Sequence, residues 1–145
     1  MSGKSATVCT GHCYCGAIRF TTTAEPQTVA YCHCDSCRRA TGGAVAAFAA
    51  FDEKSVSFEP DAGREVCITP GVTRTFCPSC GSSLSGRYDY LPGQVYISLG
   101  VLDQAGQFAP KIHTHDAERF SWLHIDDGLE RVSTSGRSKI NDTPS

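Results

Sequence analysis

Short stretches rich in Val, Ile, Phe, Tyr and Thr recur along the chain and are closed by Gly, Pro, Asp or Asn, whereas apolar spacing at three and four residues is scarce. Alternation at period two marks a half-buried strand, so the pattern predicts a mainly β protein. Strands are expected over residues 17–22, 28–31, 44–51, 55–58, 65–69, 73–76, 83–88 and 94–99. Turn chemistry separates them at Glu25-Pro26, Pro60-Asp61-Ala62-Gly63, Pro70-Gly71 and Leu91-Pro92-Gly93. One short helix is expected over 35–40, with Asp35 or Ser36 capping its start and Gly42 its end, and a further turn after Asp116. Residues 1–10 read as an N-terminal tail, 11–132 as a single domain, and 133–145, small and polar, as a poorly ordered C-terminal tail.

Composition narrows the class. Hydrophobic residues make up 40% of the 145 and charged residues 19%, enough apolar material for one core and too little charge for a solvating chain. The longest apolar run, 44–51, falls well short of the ~20 residues that cross a bilayer, so no membrane span is expected. A net charge of −2 supplies no field for non-specific nucleic-acid binding, which argues against DNA or RNA as a partner. Met1-Ser2-Gly3-Lys4-Ser5 offers no apolar stretch of the kind secretion requires, and a cytoplasmic location is expected.

In a reducing compartment, nine cysteines are poorly explained by disulfides. Cys13 and Cys15 form C-x-C before a β-type segment, where residues two apart face the same way. Cys77 and Cys80 form C-P-S-C-G, a tight turn in which Pro78 presets one dihedral and Gly81 is free to take positive φ. Joined, the two pairs make the closed four-thiolate shell of a structural zinc. Cys32, Cys34 and Cys37 form a third cluster, C-x-C running into C-x-x-C, and supply three thiolates. A tetrahedral zinc there keeps one position for water or a thiol, the mark of a catalytic site, unless His33, Cys9 or Cys67 closes it. Cys9 and Cys67 otherwise read as small core residues.

Cationic Arg38 and Arg39 follow the last ligand and are placed to offset its charge and hold the carboxylates of an acidic ligand, or else form a solvated helix face. His33, between ligands, would point away from the metal on an extended segment and is a candidate for proton transfer. His113 and His115, two apart, have no third ligand near them in sequence.

Gly11-His12-Cys13-Tyr14-Cys15-Gly16, then Cys32-His33-Cys34-Asp35-Ser36-Cys37 with Arg38 and Gly42, then Arg74-Thr75-Phe76-Cys77-Pro78-Ser79-Cys80-Gly81 together resemble the glutathione-dependent formaldehyde-activating enzyme family, which includes centromere protein V. Gly100-Val101-Leu102-Asp103, Pro110 with His113, and Trp122 follow in the expected order. Ala117 departs from it, where a small hydroxyl residue is usual. The resemblance implies a zinc-dependent β-tent fold of small antiparallel sheets. It also implies structural zinc on Cys13, Cys15, Cys77 and Cys80, and a second, open zinc on Cys32, Cys34 and Cys37.

The implied activity is that of a carbon–sulfur lyase, in which glutathione as co-substrate and formaldehyde give S-hydroxymethylglutathione reversibly. The partners would then be a small-molecule thiol and an aldehyde, or their adduct. Two competing readings are a non-catalytic zinc module that binds a glutathione conjugate or a protein, and a thiol redox protein such as a methionine sulfoxide reductase.

Overall fold

A computed structural model describes residues 6–136, so the expected tail lies, from 137 onward, outside the described residues, as do residues 1–5. Two sheets carry the architecture. The smaller has the order β1-β2-β5, with β1 Cys9–His12, β2 Arg19–Thr22 and β5 Val56–Glu59, all antiparallel. The larger has eight strands in the order β11-β10-β3-β4-β9-β8-β7-β6. Its members are β3 Thr28–Cys32, β4 Ala46–Asp52, β6 Arg64–Val66, β7 Val72–Phe76, β8 Ser83–Tyr88, β9 Gln94–Ser98, β10 Ile112–Thr114 and β11 Glu130–Arg131.

The mainly β expectation holds, and the run Ala-Ala-Phe-Ala-Ala-Phe shows why its central strand lacks a polar face. On β4, Ala46, Phe48 and Ala50 pack toward Tyr88, Tyr96 and Leu91, while Ala49 and Phe51 pack the other way against Cys9, Phe20, Val95 and Ile97. A strand covered on both faces reads as continuously apolar rather than alternating. Phe20, Phe51, Val95 and Ile97 are all but inaccessible to water, and burying a side chain of this size stabilises by roughly 1.5–3 kcal/mol.

Several expectations need correction. Residues 9 and 10, read as tail, already belong to β1; with only four residues and a glycine, Cys-Thr-Gly-His carries no legible alternation. The strand expected over 65–69 is β6 at Arg64–Val66, so Cys67 lies beyond its end and is exposed, not a core residue, while Cys9 is fully buried. The pairs β3–β10 and β10–β11 are parallel: some eighty residues lie between β3 and β10, and a shorter crossover, 115–129, links β10 to β11.

The one α-helix among the described residues, α1, spans Asp35–Thr41 and ends on Gly42 in the left-handed conformation at φ 80°, where the absence of a Cβ removes the strain. Its N-cap is Cys34 rather than Asp35 or Ser36: the Cys34 sulfur accepts from the Cys37 N–H at 3.2 Å. A single turn at Asp116–Glu118 follows β10, as expected. No helix among the described residues is long and apolar enough to cross a membrane.

Candidate functional site

The structure gathers the clustered cysteines into two groups, and none of the nine cysteines is in a disulfide. In the first group the ligand atoms of Cys13, Cys15, Cys77 and Cys80 all lie within 4.8 Å of one another. Cys13 and Cys15 sulfurs are 3.6 Å apart, and Cys15 and Cys77 sulfurs 3.9 Å. Four sulfurs at ~2.3 Å from a tetrahedral centre would stand about 3.8 Å apart, so the donor set fits such an ion. Gly81 makes the C-P-S-C turn possible: at φ 82° its N–H closes onto the Cys77 carbonyl at 2.7 Å. The Ile18 N–H donates to the Cys13 sulfur at 3.4 Å. Ser82, with its hydroxyl 3.2 Å from the Cys80 sulfur, draws that thiol down to about 5, the Ser82 side chain acting first and its backbone next. Cys13, Cys77, Ile18 and Leu84 form a buried cluster around this group, so it staples the loop after β1 to the turn after β7.

The second group stands at the end of β3 and the start of α1. Cys32 lies 3.5 Å from Cys34 and 3.1 Å from Cys37, sulfur to sulfur, longer than the ~2.05 Å of a disulfide. Cys34 is held well below the ordinary thiol range by hydrogen bonding to Cys32 and then Cys37, assisted by the Cys37 N–H at the helix start. Cys32 and Cys37 are correspondingly pushed up by their thiol neighbours.

This group opens into a cavity of about 330 Å³, walled by Phe48, Tyr88, Tyr90 and Tyr96 and reached by Arg74, His115 and Glu118. Arg74 comes from β7, with its guanidinium 3.8 Å from the Cys37 sulfur and 3.4 Å from the Tyr88 hydroxyl. Burial raises the Tyr88 hydroxyl far above its ordinary value, so it stays protonated as a donor. A wider depression of about 690 Å³ adjoins the cavity, sharing Thr69, Val72 and Arg74 with it and bordered by Arg39 and Ile68.

The remaining expected site residues are placed differently from one another. His33 points away from the thiols: it is fully buried, and its Nε2 meets His113 Nδ1 at 2.9 Å. His113 Nε2 in turn meets Asp127 Oδ2 at 2.8 Å, and its ring stacks on Tyr31 at 4.5 Å. Burial depresses the His33 pKa, and its Nδ1 finds no hydrogen-bond partner among the described residues. Arg38 lies over the Phe120 ring at 4.2 Å and donates through one nitrogen to the carbonyls of His33 and, at 2.7 Å, Glu118. It ties the helix to the segment after β10. Arg39 is largely in solvent and pairs with Asp35 at 3.0 and 3.1 Å. His115, which has no third ligand near it in sequence, acquires two in space: its donor atom and those of Cys32 and Cys34 lie within 4.8 Å of one another.

Residues 8–118 match the family described as glutathione-dependent formaldehyde-activating enzyme. The chain belongs to that family. Among relatives of this glutathione-dependent formaldehyde-activating enzyme family member is an uncharacterized lyase of Schizosaccharomyces pombe, 31% identical over 78 residues. That match covers 54% of this chain and 56% of the yeast protein, so it spans about half the length of the curated relative. A crystal structure of a Rhodobacter sphaeroides protein superposes with a TM-score of 0.52 at 19% identity, over 65% of this chain and 87% of that one, a likeness of fold alone.

The sequence of this family member does not single out Arg74, Tyr88, Tyr90, Tyr96 or His115, all of which line the cavity. Arg74 stood inside a quoted motif but carried no signal of facing Cys37, because strand pairing decides that. His115 was visible as a histidine, yet only the parallel register that sets Thr114 beside Cys32 brings it to the thiols.

Proposed function

We propose that the protein is a zinc-dependent carbon–sulfur lyase joining, reversibly, the thiol of glutathione or a similar small thiol to a small aldehyde, with S-hydroxymethylglutathione as the adduct. The observation that carries the reading is the inequivalence of the two cysteine groups: in one, four sulfurs from two distant segments close on one another, and the other offers three sulfurs beside a cavity with a cation and a hydroxyl. Cys13, Cys15, Cys77 and Cys80 would hold a structural zinc, and Cys32, Cys34 and Cys37 a second one. Bound there, zinc supplies Lewis acidity and favours the thiolate form of a thiol.

The chain's own residues supply the rest. Arg74, beside Cys37, offsets the negative charge that three thiolates and an incoming thiolate bring together. Tyr88 presents a protonated hydroxyl at the same place, able to donate to a carbonyl or hydroxymethyl oxygen. Phe48, Tyr90 and Tyr96 give the cavity an aromatic wall, and the adjoining depression leaves room for the body of the thiol. Arg39, on the rim of that depression, is the arginine placed to meet a carboxylate of glutathione; Arg38 is committed to Phe120 and two carbonyls.

The test is the rate of S-hydroxymethylglutathione formation and breakdown above the uncatalysed background. Cys34→Ser should lose at least about a hundredfold, in the range general for removing a group that polarises or positions the reacting atoms. Full activity in that variant after loss of its second metal would take zinc out of the chemistry. The closeness of His115 to Cys32 and Cys34 favours a second reading, a site closed by the chain's own donors that binds a conjugate without turnover. A rate no faster than background, with tight binding of the adduct, would decide for it.

A further inference from the structure

We infer that His115 is the fourth donor of the second metal site, held in place by Glu118. The inference rests on the reading that Cys32, Cys34 and Cys37 hold a metal ion, and goes beyond it in naming what occupies the remaining position.

Three independent features converge on His115. Its donor atom and the Cys32 and Cys34 sulfurs lie within 4.8 Å of one another, close enough for one ion to reach all three, and Cys37 stands outside that set but 3.1 Å from Cys32. It is the one non-glycine residue with positive φ among those described, at φ 50° and ψ 40°. A side chain with a Cβ costs roughly 1–2 kcal/mol in that conformation. Here the conformation is fixed by backbone hydrogen bonds, with the His115 N–H donating to the Thr134 carbonyl at 2.7 Å and the Glu118 N–H to the His115 carbonyl at 3.0 Å. Strain kept at a site lined by reactive groups points to a use for the side chain it aims.

The third feature is the carboxylate behind the imidazole. Glu118 Oε2 lies 3.4 Å from His115 Nδ1, while its Oε1 accepts from the Asp35 N–H at 3.0 Å and its carbonyl accepts from Arg38. A carboxylate on one ring nitrogen fixes the tautomer and leaves the other nitrogen as the donor, the usual support of a metal-bound histidine. Glu118 is thus anchored to α1, the same helix that carries Cys37, so the strap from His115 to Phe120 is positioned by the element it closes over.

The consequence concerns access. Cys32 and Cys34 are set by β3 and the helix cap, and Cys37 by the helix itself, whereas His115 sits on a single turn at the end of a three-residue strand. It is therefore the donor against which an incoming thiol would compete.

Full-length protein loaded with Zn²⁺, and separately with Co²⁺, provides the test through metal content, the visible spectrum of bound Co²⁺ and the imidazole nitrogen shifts of His115. His115→Asn is the informative variant, because asparagine adopts the left-handed conformation readily and so keeps the turn. The wild type should take up two metals per chain, with one His115 nitrogen at a metal-bound shift. His115→Asn should hold its second metal more weakly, by more than the 10–100-fold typical of losing an outer carboxylate, with a changed Co²⁺ spectrum, while Glu118→Gln should fall within that range. His115→Cys should recover the affinity. Two metals bound with unchanged affinity and spectrum in His115→Asn, or a freely titrating His115 ring in the loaded wild type, would overturn the inference and leave the two-metal reading standing. A single metal per chain in the wild type would overturn both.

Discussion

The two cysteine groups are built from the same side chain and lie in one small domain, yet their surroundings differ in every respect that matters for chemistry. Around Cys13, Cys15, Cys77 and Cys80, donors come from two distant turns and apolar side chains pack on them. Such a group holds chain segments together. Around Cys32, Cys34 and Cys37, all three donors come from one strand end and one helix start, so they bridge little that is not already adjacent. The space beside them is a cavity carrying Arg74, Tyr88 and His115. What separates the two groups is which elements supply the sulfurs and what faces them, not the number of cysteines in a motif.

The sharpest way to break this contrast is to remove one sulfur from each side. Structural zinc contributes roughly 10–16 kcal/mol in zinc-finger peptides, so Cys77→Ser should lose its cooperative thermal transition in calorimetry or circular dichroism. Cys34→Ser should melt within about 5 °C of the wild type, the shift that roughly 1 kcal/mol produces in a domain of this size. Equal destabilisation by the two substitutions would erase the distinction.

A smaller effect is expected from Arg74→Met, which keeps much of the side-chain volume and removes the charge near Cys37. Hydrogen bonds involving a charged group are worth about 1.5–3 kcal/mol, so the KM for the thiol should rise roughly tenfold or more, with the melting temperature little changed. An unchanged KM would mean that Arg74 serves only Tyr88 and the fold.

The smallest effect concerns the support behind the second group. The Asp127 carboxyl is held below the usual carboxylate range by the Leu129 N–H first and by His113 beside it. A carboxyl depressed in the folded state stabilises at pH values above its unfolded pKa of about 3.9, and that contribution is lost as pH falls through the lower folded value. Asp127→Asn should therefore be slightly less stable than the wild type near pH 7, with the gap closing below about pH 4 in urea titrations. A gap that widens on acidification would contradict the assignment.

Much of the contrast was legible in the chain itself. C-x-C and C-P-S-C-G name the two halves of the first group, and Cys32, Cys34 and Cys37 the second, because local spacing brings the sulfurs within each motif together; the fold joins the two halves. The helix and its Gly42 end were equally local. Cys34 as N-cap was missed because Asp and Ser are the commoner caps, whereas here the Cys34 sulfur accepts from the Cys37 N–H. Arg74, Tyr88, Tyr96 and His115 were illegible as site residues for a different reason. They reach the cavity through pairings across β3, β4, β7, β8, β9 and β10, which depend on how the whole sheet is ordered. Arg38 shows the reverse error: adjacency in sequence suggested a ligand contact, while Phe120 and Glu118, some eighty residues away, claim its guanidinium.

Cadmium-113 NMR of the fully loaded protein, recorded with and without glutathione, tests the inequivalence of the two groups most directly. Two resonances are predicted, of which glutathione moves one and leaves the other in place. A single resonance, or a pair that both respond or both ignore the thiol, would contradict the account.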